Sequence, residues 1–200
     1  MKAYINKFYF LNNKDNLILD FIPQISRRRM SALDKISISV MNEVCSENIE
    51  NIIYASRFGE IDRLLKIISQ YKELNEVSPN VFCASVHNHP VCFFLLNKQK
   101  PVVYNALSGF KNTISSGLLS AMISEYNNIL FCYADVYKDI FRAFGLNISK
   151  IKNDGEEYKI NIINSKNKDK DEDVYEDFIE FFKGETNFLK TSLFEIERKA

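Results

Sequence analysis

The chain of 200 residues has no excess of charge of either sign. It carries 26 lysines and arginines against 26 aspartates and glutamates, so its formal net charge at pH 7 is zero. Proteins bind nucleic acids and anionic lipids largely through an excess of positive charge. The balance gives no general electrostatic reason for either kind of binding, and we expect no nucleic-acid partner.

The sequence also lacks a long hydrophobic run. A helix that crosses a bilayer needs about 20 mostly apolar residues, and no such stretch occurs in the chain. The first segment, residues 1–16, alternates apolar and polar residues and holds no small-residue cleavage site, which is not the pattern of a signal peptide. We therefore expect no membrane span and a cytoplasmic location.

Cysteine and histidine are scarce, and their spacing does not suit metal binding. The only histidines, His87 and His89, stand at i and i+2, so they point in different directions on a helix. No C-x-x-C pair occurs, and a metal site of cysteines needs such close spacing. We expect no metal site, no cofactor, and four buried or half-buried thiols. The cysteines are Cys45, Cys83, Cys92 and Cys132.

What is present predicts a folded α/β protein, and we expect one domain over residues 1–200. Apolar residues make up 46% of the chain and charged residues 26%, as in globular proteins. Short apolar runs at 51–56, 101–107 and 128–135 predict buried strands, with helices between them. Strands that alternate with amphipathic helices indicate a mainly parallel mixed sheet of about five to seven strands, with helices on both faces.

The helices carry recognisable signals. Ser31 and Asp34 have the spacing of a capping box at the start of a helix. Residues 61–71 place Ile61, Leu64, Leu65 and Ile68 on one apolar face. Asn88 stands where it caps a helix whose first turn holds Pro90.

The two ends of the chain have a different pattern. An aromatic-rich run at 3–10 predicts a strand. Alternating patterns at 157–163 and 192–198 predict two half-exposed strands that lie at an edge or pair antiparallel. The residues between them predict a charged loop at 164–173 and a helix that ends at Gly184.

The stretch from Pro101 to Met122 predicts a buried strand, a tight turn and a helix. Such an elbow exposes its tip and aims helix N–H groups at an anion, which suits acyl transfer. The tip is Ser108-Gly109-Phe110-Lys111 and contains no cysteine. Ser108 is either the N-cap of the following helix or a nucleophile with His87 or His89 as its base. The second alternative predicts an acyl hydrolase or transferase.

Three segments taken together resemble a known family. They contain R-R-M-S near the start, then A-S-R-x-G-E and S-P-x-x-F-x-x-S-V-H-N with a strand that ends in A-L-S, and finally FIEFFKGETNFLKTSLFEIER. In this order the chain resembles the short β-ketoacyl-synthase-like proteins of the thiolase-like superfamily, also described as chain-length-factor-like. The resemblance implies half of a thiolase-like fold, because a full condensing enzyme duplicates this α/β unit.

The resemblance also implies an elbow without its nucleophile. Condensing enzymes carry a pattern like A-x-S-x-A-C-A-T at the elbow, and their catalytic histidines come from the second half. Laid over residues 106–113, the pattern puts the cysteine on Lys111, and a shift of one residue puts it on Phe110. His87 and Asn88 match the loop and helix start before the elbow strand rather than those histidines. No residue of this chain is therefore expected to be catalytic. A lysine can also act as a nucleophile by forming a Schiff base, but nothing in the sequence indicates that Lys111 does so.

The function implied is that of a non-catalytic partner in a type II fatty acid, polyketide or aryl-polyene pathway. A ketosynthase, or a second copy of the chain, is expected to pair through the elbow strand. An acidic acyl carrier protein is a further expected partner, with Arg27, Arg28 and Arg29 as its contact; the alternative for this triplet is a solvated basic loop. A scaffold that binds no acyl group is a third possibility for the whole chain. The expected partner contacts are Phe93, Phe94, Val102, Val103 and Tyr104.

Overall fold

One eight-stranded mixed sheet forms the centre of the computed structural model, which describes residues 1–11, 17–138, 140–163 and 174–199. The strand order is β3-β2-β4-β5-β1-β6-β8-β7. The charged loop predicted at 164–173 lies outside the described residues. The strands are β1 (Lys2–Leu11), β2 (Asn51–Ala55), β3 (Val103–Leu107), β4 (Asn128–Tyr137), β5 (Ile140–Ser149), β6 (Glu156–Ile162), β7 (Phe188–Lys190) and β8 (Phe194–Arg198).

Helices cover both faces of the sheet, as the sequence predicted. One face carries α2 and α5, and the other carries α6 and α7. A turn of 3₁₀ helix (Phe110–Asn112) precedes α6. The helices are α1 (Gln24–Arg27), α2 (Ala32–Val44), α3 (Ile61–Leu74), α4 (Pro79–Cys83), α5 (His89–Lys98), α6 (Thr113–Ile123) and α7 (Tyr175–Lys183).

The α/β class and the mixed sheet are confirmed, but the sheet is larger and less parallel than expected. Only β2 pairs in parallel, with β3 on one side and β4 on the other, and the other five neighbouring pairs are antiparallel. Two strands are missing from the prediction: the three-residue β7, and β5, which returns antiparallel to β4. Arg142, Gly145 and Asn147 interrupt its apolar pattern, so no run of strand-forming residues marks it. The antiparallel pairing predicted for the two C-terminal strands is confirmed in β6 and β8.

Helix α2 has the N-terminal capping box that the sequence predicted. The Ser31 hydroxyl accepts a hydrogen bond from the Asp34 amide at 2.9 Å, and the Asp34 carboxylate accepts one from the Ser31 amide at 2.9 Å. A cap of this kind stabilises a helix by about 1 kcal/mol. The apolar side of α2 is buried against the sheet.

Two glycines allow helices to approach the sheet closely. A Cβ at Gly145 of β5 would lie 2.7 Å from Val40 Cγ1 of α2. A Cβ at Gly117 of α6 would lie 2.7 Å from Phe131 Cε2 of β4. Because real Cβ atoms do not approach that closely, a side chain at Gly145 would push α2 away from the sheet, and one at Gly117 would push α6 away.

The apolar face of α3 is not buried in the chain, although the helix itself is confirmed. Ile67 is its only buried residue. The spacing of apolar residues predicted the helix, but it does not indicate which surface covers the apolar face of α3. The exposed apolar side chains of α3 are Leu64, Leu65, Ile68, Tyr71 and Leu74, and we call them the α3 face.

No helix in the described part of the chain has both the length and the apolar character needed to cross a membrane. Cys83 is exposed, so the expectation that all four thiols are buried or half-buried is wrong for this residue. Cys132 is buried, and burial raises the pKa of its thiol far above the ordinary value.

Candidate functional site at the elbow

The predicted strand–turn–helix elbow is present, and Phe110 is at its apex. Strand β3 ends at Leu107, and Phe110 has a φ of 55°, in the left-handed region that a bulky side chain rarely adopts. Thr113 holds the turn, because its hydroxyl accepts a hydrogen bond from the Gly109 amide and donates one to the Phe110 carbonyl. The elbow therefore presents a phenyl ring that is 69% exposed.

Ser108 is neither the helix cap nor part of a catalytic pair among the described residues. Its hydroxyl donates to the Arg57 carbonyl at 3.2 Å, and the cap position of α6 belongs to Asn112. The ring of His87 contacts the Leu107 carbonyl at 3.1 Å, and His89 contacts Asp34 at 2.7 Å. The expectation of Ser108 as an N-cap is wrong, and the described hydrogen bonds do not join it to either histidine.

The loop after β2 forms the second wall of the site. Asp135, near the end of β4, accepts hydrogen bonds from the Ser56 hydroxyl at 2.7 Å and from the amides of Arg57 and Phe58. The Ser56 hydroxyl in turn accepts one from the Gly59 amide. One buried carboxylate thus fixes the conformation of the whole loop.

A cavity of about 670 Å³ lies between this loop, the elbow and the β4–β5 hairpin. It lies at the carboxyl ends of the three strands that pair in parallel, the usual location of a binding site in an open α/β sheet. Its lining combines cationic and aromatic side chains. The lining residues are Arg57, Phe58, Phe110, Lys111, Thr113, Ile114, Tyr133, Asp135, Tyr137, Ile140, Arg142 and Val174.

Sequence reasoning identified only the elbow side of this cavity. The signal for the other side was nonetheless available, since Arg57 directly follows one predicted strand and Asp135 ends another. The carboxyl ends of neighbouring parallel strands meet at one edge of a sheet. Applied to these two strands, that rule places both residues beside Phe110 and Lys111.

A buried ionic cluster joins the motif segments on the other face of the sheet. Arg63 contacts the Asp34 carboxylate at 3.1 Å and Glu60 at 3.6 Å, and His89 contacts Asp34. Ser31 donates to Glu60 at 2.5 Å. Burial, followed by the nearby Asp34 carboxylate, raises the pKa of Glu60 above its ordinary value.

The ionic cluster holds the chain together around α2 rather than forming a ligand site. Asp34, Glu60 and His89 place ligand-type atoms within 4.8 Å of one another. However, the Arg63 guanidinium already lies against both carboxylates, and a guanidinium in that position repels a cation. The cluster connects Ser31 of R-R-M-S with Glu60 of A-S-R-x-G-E and with His89, the residue after S-V-H-N.

The expected partner contacts divide between surface and core. Strand β3 is the edge of the sheet, and Val103 is 50% exposed. Val102, Tyr104 and Phe93 are half-buried. Phe94 is only 1% exposed and packs in the core against Phe21, so its proposed role as a partner contact is wrong. The apolar pattern of α5 did not distinguish its inner from its outer positions.

The structure shows which contacts Asn88 and the arginine triplet make. Asn88 precedes α5 and Pro90 lies in its first turn, but the Asn88 side chain donates to the Tyr104 hydroxyl instead of capping the helix. Arg27 donates to the Ile22 carbonyl and lies 3.6 Å from Asp20. Arg28 and Arg29 are exposed.

Comparison with known proteins agrees with this architecture. A chain in the solved complex of a ketosynthase (ApeO) with its chain length factor (ApeC) from Xenorhabdus doucetiae superposes with a TM-score of 0.78 at 15% sequence identity. The match covers 99% of this chain and 100% of that one. No curated protein matches the chain in sequence.

The family assignment rests on the sequence segment that builds the site. A family model described as beta-ketoacyl synthase, N-terminal domain, matches residues 5–143. This range contains the ionic cluster, the loop held by Asp135, the edge strand β3 and the elbow. The chain therefore belongs to the family of β-ketoacyl synthase N-terminal domains, with a thiolase-like fold.

Proposed function

We propose that the chain is a non-catalytic, chain-length-factor-like partner of a β-ketoacyl synthase. The observation that carries this proposal is the elbow, which keeps the family's strand–turn–helix form but has Phe110 at its apex and Lys111 beside it. A phenyl ring has no nucleophilic atom, and neither residue can form the thioester of a condensing enzyme. The acyl-transfer chemistry then belongs to the partner.

The edge of the sheet supports pairing with another chain. Strand β3 has β2 on one side and no described strand on the other, so one row of its backbone N–H and C=O groups is available for pairing. Natural edge strands are commonly blocked by charged residues or proline, and β3 (VYNAL) has neither. A strand from a partner would complete this row of hydrogen bonds.

The α3 face supports the same conclusion independently. Its five large apolar side chains are exposed along one side of a 14-residue helix. Apolar patches that a single chain leaves uncovered commonly mark interaction sites. We expect the partner to cover the α3 face, and a ketosynthase is the partner we favour because the structurally similar chain comes from a ketosynthase–chain length factor complex.

The pathway and the carrier protein are the finer parts of the proposal. We place the complex in a type II fatty acid, polyketide or aryl-polyene pathway, in the cytoplasm. Arg28 and Arg29 are exposed and suit contact with an acidic acyl carrier protein, whereas Arg27 is held by Ile22 and Asp20. Loss of carrier-protein binding in an Arg28→Ala/Arg29→Ala variant tests this contact.

The experiment for the main proposal is affinity purification of the tagged chain from its native cells. Mass spectrometry then identifies and quantifies the proteins that accompany it. The proposal predicts a ketosynthase with an intact elbow cysteine, in near-stoichiometric amount. A chain that purifies alone, or only as a second copy of itself, contradicts the proposed partner.

A further inference from the structure

We propose that the cavity at the elbow binds an amphipathic anion: a carboxylate or phosphate group attached to an apolar body. This noncovalent binding activity is distinct from pairing with a partner chain, because none of the residues that line the cavity belongs to β3 or to the α3 face. The charge of the lining, its apolar part and the conformation of Phe110 all favour such a ligand.

The charged part of the lining is positive. Arg57, Lys111 and Arg142 line the cavity, and Asp135 is the one carboxylate among the lining residues. The Asp135 carboxylate is already engaged by the Ser56 hydroxyl and the amides of Arg57 and Phe58. Within the described part of the chain, neither the Arg57 guanidinium nor the Lys111 ammonium has a hydrogen-bond or ion-pair partner. Two cations on one cavity wall, without a counter-charge, favour an anion.

Arg57 is held in place for such a contact. Its guanidinium lies 5.0 Å from the centroid of the Phe58 ring and 4.9 Å from that of Phe110. The two rings restrict the side chain, so less conformational entropy is lost when the guanidinium binds a ligand. A planar guanidinium also matches the geometry of a carboxylate or a phosphate.

The rest of the lining suits an apolar body. Phe58 stacks on Tyr137 with ring centroids 5.0 Å apart, and Ile114, Ile140 and Val174 complete the apolar wall. A cavity of about 670 Å³ has the size of a typical small-molecule site. Such sites are mostly apolar, with a few polar groups that fix the orientation of the ligand.

Phe110 connects the charged and apolar parts. Its backbone is in the left-handed region, which a bulky side chain rarely adopts. The same conformation places an exposed ring at the cavity and against Arg57. Strain of this kind persists at binding sites, where it positions a group for its ligand. A bound apolar body would cover the ring.

The second cavity of the described structure offers a useful contrast. It has a volume of about 480 Å³ and includes Asn51, Asn105 and Glu125 in its lining. No lysine or arginine lines it, and its one charged residue is an acid. We therefore assign the anion to the elbow cavity rather than to this one.

The test is calorimetric titration of the purified chain with four probes of equal chain length. Octanoate and octyl phosphate carry the anion, octanamide is the neutral counterpart, and octylamine carries the opposite charge. We expect at least one of the two anions to bind about tenfold or more tightly than octanamide, because a charged hydrogen bond adds that much. Octylamine should bind least. Preference for octyl phosphate over octanoate identifies a phosphate head, and the reverse identifies a carboxylate.

The variants locate the site. Arg57→Gln/Lys111→Gln should lose the preference for the anion and keep the weak binding of octanamide, with an unchanged circular dichroism spectrum. Lys66→Gln/Lys72→Gln removes the same charge from the exposed side of α3 and should leave all affinities unchanged. Equal binding of the anions and octanamide by the unmodified chain, or no binding of either anion, overturns the proposal. So does an anion affinity that the Arg57→Gln/Lys111→Gln variant retains.

Discussion

The Ser56 hydroxyl donates a 2.7 Å hydrogen bond to the carboxylate of Asp135, which lies 79 residues further along the chain. Ser56 directly follows β2 and Asp135 lies near the end of β4, and these two strands pair in parallel. This contact, with the neighbouring amide hydrogen bonds, holds the loop that carries Arg57 and Phe58 against the elbow. The wall of the cavity therefore depends on one buried acid.

Asp135→Ala should destabilise the chain by about 3 kcal/mol, because it leaves the Ser56 hydroxyl and two loop amides without an acceptor. Asp135→Asn keeps one side-chain carbonyl and should cost about half as much. Urea denaturation followed by circular dichroism measures both changes. Asp154→Ala, at an exposed loop position, is the control and should change stability by less than about 0.5 kcal/mol. An Asp135→Ala variant as stable as this control would contradict the role given to the carboxylate.

The elbow should form no covalent acyl-enzyme. Incubation of a Cys83→Ser variant, which lacks the exposed thiol, with a small acyl thioester should leave the intact mass of the protein unchanged. The reason is that Phe110 and Lys111 replace the nucleophile and Ser108 donates to a backbone carbonyl. Intact-protein mass spectrometry measures this directly, with a catalytic ketosynthase as the positive control. An adduct that maps to Ser108 and disappears in Ser108→Ala would instead establish the hydrolase or transferase alternative. An adduct on Lys111 would show that the elbow has an active nucleophile.

The pH dependence of stability should reveal the buried Glu60. Burial, followed by the charge of Asp34, raises the pKa of Glu60 above its ordinary value of 4.5 in the folded chain. Between the unfolded and folded pKa values the folded state holds more protons, so this group's contribution to stability is lost as pH rises. Relative to the unmodified chain, Glu60→Gln should therefore gain stability as the pH increases from about 4.5. Urea denaturation at several pH values measures the difference.

Glu50 provides a control of opposite sign. The amides of Asn128 and Asn127 donate to its carboxylate and lower its pKa. The contribution of Glu50 is present above the ordinary pKa and is lost as the pH falls through the lowered value. Glu50→Gln should thus lose stability, relative to the unmodified chain, as the pH rises through the acid range below about 4.5. The same pH trend in both variants would contradict the assigned environments.

The α3 face should contribute to partner binding and not to folding. Leu65 is 54% exposed, so Leu65→Glu should change the free energy of unfolding by less than about 0.5 kcal/mol. The same substitution should weaken binding of the partner, because it places a charge in a contact that is otherwise apolar. Ile151→Glu, at a comparably exposed apolar position after β5, is the matched control and should bind normally. Equal partner binding by both variants would remove α3 from the interface.

The elements that the sequence predicted correctly are those that interactions between neighbouring residues determine. The capping box of α2, the strand–turn–helix elbow and the C-cap at Gly184, with its φ of 89°, each depend on a few neighbouring residues, and each was found. Strand β5 was missed because Gly145 and Asn147 serve long-range contacts: Gly145 admits Val40, and Asn147 donates to the Val44 carbonyl. A periodicity argument does not detect residues chosen for such contacts.

The candidate site was only half predictable for the same reason. The resemblance directed attention to Phe110 and Lys111, but the opposite wall consists of residues from β4, β5 and the loop after β2. Phe94 shows the converse error. Its apolar neighbourhood suggested an interface, and only the packing of α5 against α2 revealed that it is buried. Spacing along the chain identifies apolar residues without saying whether the chain itself or another chain covers them.

The most direct test of the central claim compares the two edges of the sheet. Val103 on β3 and Phe188 on β7 are similarly exposed, at 50% and 54%, on the opposite edge strands. A lysine on an edge strand obstructs pairing with another strand. The ratio of ketosynthase to tagged chain, measured by quantitative mass spectrometry after purification from native cells, should fall at least about tenfold in Val103→Lys and stay unchanged in Phe188→Lys. Retention of the ketosynthase by Val103→Lys, or its loss in Phe188→Lys alone, would contradict a partner that binds through the elbow strand.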